Sequence, residues 1–195
     1  MGSGSYVLAE ENATKVNFSR YQTALAKAQT DLFAKCDHDW KRTYGGLTPP
    51  AGSYGATTIM PELFDDYLGA QLVQWRQNIL LTGEQMVISG TRANHTLPED
   101  WKVAWVGIAL PNKHINISEL RWQIGDRKFG RVNIEEMLGY PTPAVIFEQG
   151  FIIDEEESFE LWANVENAGY QRIVLLGEAA FRQTQNALGN TGAAI

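Results

Sequence analysis

The stretch SFELWANVENAGYQRIVLLGEAAF, residues 158–181, decides the fold. In its first part Phe159, Leu161, Ala163 and Val165 alternate with Glu160, Trp162 and Asn164. Successive side chains of a strand point to opposite sides, so this alternation is that of a half-buried β-strand. The last part differs. Ile173, Leu175 and Ala179 fall on one face and Val174, Leu176 and Ala180 on the other. A strand apolar on both faces must be covered on both. One cover is an opposite sheet; the other is an N-terminal helix or a neighbouring subunit. The two parts, separated by a short turn, read as the closing hairpin of a β-domain.

Upstream, similar signals recur at short intervals. LVQWRQNILL (72–81) and EQMVISG (84–90) read as strands joined at Thr82-Gly83. WKVAWVGIAL (101–110) alternates Trp101, Val103 and Trp105 with Lys102 and Ala104, then turns apolar on both faces. ISELRWQI (117–124) sets Leu120, Trp122 and Ile124 against Arg121 and Gln123, and Gly125-Asp126 is a hairpin signal before RKFGRV (127–132). NIEEMLG (133–139) predicts a short helix, and AVIFEQGFII (144–153) a bent strand or strand pair. Roughly seven to nine short strands, mostly joined by tight turns, favour an antiparallel β-sandwich, jelly-roll-like, over α/β, which would need a helix between successive strands.

Before the strands comes a helix. Tyr21, Leu25, Ala28, Leu32 and Cys36 recur at helical spacing and make one apolar stripe, extended by Trp40 and Tyr44. The expected division is an arm and amphipathic helix over 1–44, a Gly/Pro-rich linker over 45–58, the sandwich over 59–182 and a small-residue tail over 183–195. PELFDDYLGAQL opens the sandwich with a short helix that has Pro61 in its first turn.

Composition narrows function by exclusion. The net charge of -7 argues against nucleic-acid binding through a broad basic face. The longest apolar runs are too short to span a bilayer. The first residues lack the basic start and apolar core of a signal peptide, so the expectation is synthesis in the cytoplasm. Asn12, Asn17, Asn94 and Asn116 head N-x-[ST] triplets, which read as polar turns and caps, with glycosylation as the second reading.

Motifs for chemistry are scarce. There is no phosphate-binding glycine loop, dinucleotide fingerprint or nucleophile elbow. In CDHD (36–39), Cys36 and His38 are the right types for a metal, but alternate helical positions diverge. The same divergence disfavours a Cys36–His38 nucleophile and base. DEEE (154–157) lacks the spacing of a calcium loop and reads as a charged turn. The three histidines are isolated, which disfavours a cupin-type metal centre. The expectation is a protein that is not an enzyme and holds no cofactor.

The run from ISELRWQI to GEAAFR resembles the C-terminal half of β-sandwich structural proteins of virions, capsid or decoration proteins. The pieces that carry the likeness are Ser158, Phe159, Leu161, Gly169, Ile173, Leu175 and Gly177. The resemblance implies a particle protein without an active site, located on the virion or particle surface. The expected function is therefore self-assembly, with copies of itself and other virion proteins as partners. Tyr21, Leu25, Leu32, Trp40, Trp162, Val174 and Leu176 are the candidate contact residues. The alternative is a carbohydrate- or ligand-binding sandwich, in which Trp75, Trp101, Trp105, Trp122 or Trp162 would stack on sugar rings.

Overall fold

The computed structural model describes residues 15–43, 54–112, 114–134 and 144–182. The helix, α1, spans Lys15–Thr43. The strands are β1 (Tyr54–Thr58), β2 (Phe64–Asp65), β3 (Arg76–Ile79), β4 (Gly83–Gly90), β5 (Trp101–Ala109) and β6 (Ile117–Ile124). They continue as β7 (Arg127–Lys128), β8 (Val132–Asn133), β9 (Ala144–Ile153), β10 (Phe159–Val165), β11 (Gly169–Arg172) and β12 (Val174–Arg182). A single 3-10 turn at Pro61–Leu63 stands where a short helix was expected, with Pro61 at its start.

The strands form a four-stranded sheet, β1-β12-β5-β9, and a six-stranded sheet, β2-β4-β10-β6-β7 with β8 also on β6. All pairings are antiparallel. The two sheets face each other as a sandwich. Val103, Trp105, Ile153, Leu175 and Ala179 from one meet Val87, Leu120, Trp122, Phe159 and Leu161 from the other. Trp105 is the hub, with Trp122, Phe147 and Phe159 edge-on to it at centroid distances of 5.3, 4.8 and 5.2 Å. Its indole N–H donates to the Gly107 carbonyl at 2.7 Å. Edge-on rings of this kind add to the gain from burial alone.

The helix makes a third layer on the outer face of the four-stranded sheet. Tyr21, Ala24, Ala28, Leu32, Cys36 and Trp40 form its buried stripe, against Ala104, Val106, Ala109, Leu176 and Ala180. Small residues bring the layers close. A Cβ on Gly150 would sit 2.8 Å from that of Ala28. The second cover that β12 required is thus the chain's own helix.

The stretch 158–181 is not a hairpin. Its first strand, β10, pairs with β4 and β6, whereas its last, β12, pairs with β1 and β5 in the other sheet. Between them β11 pairs with β3 in a separate two-stranded ribbon. The faces predicted for β10 and β12 are as observed; the connection crosses between sheets because a strand with two apolar faces belongs in the middle layer. Nor is 72–81 a hairpin partner of β4. Only Arg76–Ile79 is strand, and it pairs with β11. Tyr54–Thr58, within the expected linker, is an edge strand on β12. The turn at Gly125-Asp126 is as predicted, Gly125 taking φ 55° between Ile124 and Arg127. AVIFEQGFII is one strand whose register shifts against β5. The predicted helix over 133–139, beyond Ile134, the arm over 1–14 and the tail over 183–195 lie outside the described residues.

Candidate interaction surface

The C-terminal half of the helix docks through charge. Lys102 lies on the helix-facing side of β5 and is 1% exposed. Its ammonium donates to Asp39 at 2.9 Å and to Asp154, with Glu155 at 3.5 Å. Lys35 from the helix reaches the other oxygen of Asp154 at 2.5 Å. Burial alone would lower the lysine pKa; the hydrogen bonds to Asp154 and Asp39 outweigh it and raise it. Burial likewise opposes ionisation of Asp39, but hydrogen bonds from His38 and Lys102 hold its carboxyl below the usual range. The four residues CDHD are thereby accounted for. Cys36 is in the apolar stripe, its thiol pushed up to about 12 by burial. Asp37 accepts from the Tyr54 hydroxyl at 2.9 Å, which ties α1 to β1. His38 points to solvent beside Asp39. Asp39 holds Lys102.

Cys36 and His38 diverge, as their spacing predicted. Among the described residues no three His, Cys, Asp or Glu side chains are grouped to hold a metal ion. In DEEE, Asp154 and Glu155 serve Lys102, and Glu157 accepts the Asp154 amide N–H at 3.0 Å. This arrangement can lock a helix to a sheet.

The outer face of the six-stranded sheet is polar and interlinked. Trp162 is half-buried under the Arg121 guanidinium, 4.7 Å above its ring, and its indole N–H donates to Glu160 at 3.1 Å. Arg121 and Arg131 pair with Glu84 and Glu119 at 2.6 and 2.7 Å. The helix covers the other sheet and leaves this face open.

The β3–β11 ribbon is different. Arg76, Asn78, Tyr170 and Arg172 share its outward face, and Gln77, Ile79 and Gln171 its buried face. Gln77 and Gln171 are cross-strand partners and both nearly fully buried. The Gln77 amide donates to the Val87 carbonyl at 2.9 Å, and the Gln171 oxygen accepts the Asn116 N–H at 3.0 Å. Two satisfied glutamines thus fasten the ribbon to the sandwich. Around it lie exposed apolar side chains: Leu68 at 71%, Val73 at 82%, Leu80 at 62%, Leu81 at 55% and Tyr170 at 59%. All the strongly exposed large apolar residues among those described fall on the ribbon or the segments flanking it.

The candidate contact residues from the sequence stand elsewhere. Tyr21, Leu32, Trp40 and Leu176 are buried within the chain, between helix and four-stranded sheet. Leu25 and Val174 pack half-buried at the margin of that layer. Trp162 is on the opposite outer face. Sequence reasoning passed over the ribbon because LVQWRQNILL was read as one strand joined to EQMVISG at Thr82-Gly83. The polar run Gln74, Arg76, Gln77, Asn78 inside it was the signal that it could not be. Among the described residues no helix is long and apolar enough to cross a membrane. Comparison with known proteins gives no match: no family model, no curated protein and no solved structure matches this chain.

Proposed function

We propose that this chain is a structural building block that acts through contacts between its own copies, with the shell or surface of a virion or similar particle as the role it fits. The observation that supports the reading is that the exposed apolar side chains Leu68, Val73, Leu80, Leu81 and Tyr170 all fall on the β3–β11 ribbon or in the segments flanking it. Clustered exposed apolar side chains on an otherwise well-covered domain mark a contact surface.

Carbohydrate binding is less well supported. Trp105 and Trp122 are in the core, where no sugar can stack. Trp75 packs on Phe64, Trp101 on Phe181 and Trp162 under Arg121, so they do not form one aromatic platform.

Native mass by light scattering on a size-exclusion column, with negative-stain images of the same fractions, tests the proposal. A regular species of many subunits is expected. A clean monomer near the chain mass of 21.8 kDa at high concentration overturns it.

A further inference from the structure

The outward face of the ribbon carries a charge arrangement that the contact reading does not use. Arg76 and Arg172 are directly opposite across β3 and β11. Like charges in that position repel, and natural sheets place opposite charges there. The arginine ion pairs among the described residues are those of Arg121, Arg131 and Arg182. Among the described residues neither Arg76 nor Arg172 pairs with a carboxylate.

Both line a cleft of about 580 Å³, together with His114, Asn112, Asn116 and Tyr170. Among the described residues no Asp or Glu lines it. The walls are held in place. The Asn112 amide makes two hydrogen bonds to the Arg172 backbone, accepting its N–H and donating to its carbonyl, both at 2.8 Å. The Asn116 amide donates to the Tyr170 carbonyl at 3.4 Å. The segment carrying Asn112 and Asn116 therefore caps the outer edge of β11 as a third strand would. Arg76 is positioned by Tyr170, its guanidinium 3.9 Å from the ring centroid. Stacking of this kind leaves the guanidinium's in-plane N–H donors available.

We infer that this cleft binds a phosphate-type dianion. Two planar guanidinium forks on one face of the ribbon, lining one cleft, supply two positive charges and bidentate donors of the kind that recognise phosphate oxygens. A single carboxylate would balance only one of the two charges. Free phosphate and a phosphate ester on a larger molecule share this chemistry. The site relieves a repulsion that the fold otherwise carries at a net cost.

Backbone and arginine side-chain NMR of the intact chain tests this, with inorganic phosphate titrated at constant ionic strength set by sodium chloride. Saturable shifts are expected at Arg76, Tyr170 and Arg172. Arg76→Gln and Arg172→Gln should each weaken binding about tenfold or more. Arg172→Lys, which keeps the charge and loses the fork, should fall between. Arg131→Gln, which removes an equal charge outside the cleft, where Arg131 pairs with Glu119, should bind as the parent does. Shifts that never saturate, or that Arg131→Gln reduces as much as Arg76→Gln, overturn the site. Acetate binding as tightly as phosphate overturns the dianion assignment. Glycerol phosphate binding at least as well as inorganic phosphate identifies an ester group as ligand; preference for inorganic phosphate identifies the free ion, and both support the site. The readout needs no assembly, so a monomeric chain that binds phosphate would overturn the building-block reading and leave this one standing.

Discussion

The Lys102 ammonium lies 2.9 Å from the Asp39 carboxylate, joining a central strand of the four-stranded sheet to the last turns of the helix. Asp154 and Glu155, at the turn after β9, complete the surround. Removing one partner of a buried pair leaves the others uncompensated, which is far costlier than never having had the pair. Lys102→Ala should destabilise the protein by about 3 kcal/mol, toward the low end for such sites because the carboxylates are partly solvated. Lys102→Met, which keeps the stem's packing, should cost less. Chemical denaturation followed by tryptophan fluorescence measures both; an unchanged midpoint for the alanine variant would show that the cluster does not hold the helix.

The same layer should make the fold sensitive to alkali. Cys36 is pushed up to about 12 by burial, and Tyr54 to about 12 by burial and its hydrogen bond to Asp37. Lys102 is raised as well. Each group binds its proton more tightly folded than unfolded, so its contribution is complete below the unfolded pKa and is lost as pH rises toward the folded one. Unfolded thiols titrate near about 8.5 and tyrosines near about 10. Thermal stability should therefore fall progressively from about pH 8.5 upward. Asp39 has the opposite sign: lowered in the folded state, its contribution is present at neutral pH and is lost as pH drops below the ordinary carboxylate range. Cys36→Ala should flatten the first part of the alkaline decline in melting scans. An unchanged slope would remove Cys36 from the account.

Gly177 has φ 149° at the point where the β12 register shifts against β5. A Cβ there would run into the Ala104 carbonyl oxygen. Both the backbone region and the missing space demand glycine. Gly177→Ala should cost about 2 kcal/mol or more. Gly130→Ala is the control, since nothing lies near its Cβ position and its φ is unremarkable. Equal denaturation midpoints for the two variants would remove the strain argument.

Local pattern was enough to place the faces of β5, β6, β10 and β12 and the apolar stripe of the helix, because burial of each is set by its own alternation or stripe. Pairing was not local. That β10 and β12 part to different sheets depends on what covers Val174, Leu176 and Ala180, which lies more than a hundred residues upstream in the helix. The apolar ends of LVQWRQNILL hid the ribbon, whose buried face is built from Ile79 and from Gln77 and Gln171, residues that polarity alone assigns to solvent. The pairing of Arg76 with Arg172 is likewise a product of register, invisible until β3 and β11 are set side by side.

The exposed leucines offer a test of assembly that leaves the fold alone. Leu80 and Leu81 are more solvated than covered, so Leu80→Asp with Leu81→Asp should change monomer stability by only about 0.5 kcal/mol. The same pair of charges in a contact between copies would be desolvated or repelled, and the native mass should fall to that of the monomer. A variant that still forms the parent species would move the contact surface away from the ribbon.

Removal of the helix should fail differently. Deleting residues 1–43 uncovers Ala104, Val106, Ala109, Leu176 and Ala180 and takes Asp39 away from Lys102. If the helix were only an arm reaching to neighbours, the truncated sandwich would remain soluble and unassembled. Because it is a layer of its own domain, the truncated chain should instead aggregate or bind a hydrophobic dye strongly, whatever its assembly state. A synthetic peptide of residues 15–43 should reduce that dye binding, and the same peptide with Asp39→Ala and Leu32→Ala should do so poorly. A soluble truncated chain with parent-like melting and no dye binding would show that the four-stranded sheet does not need the helix.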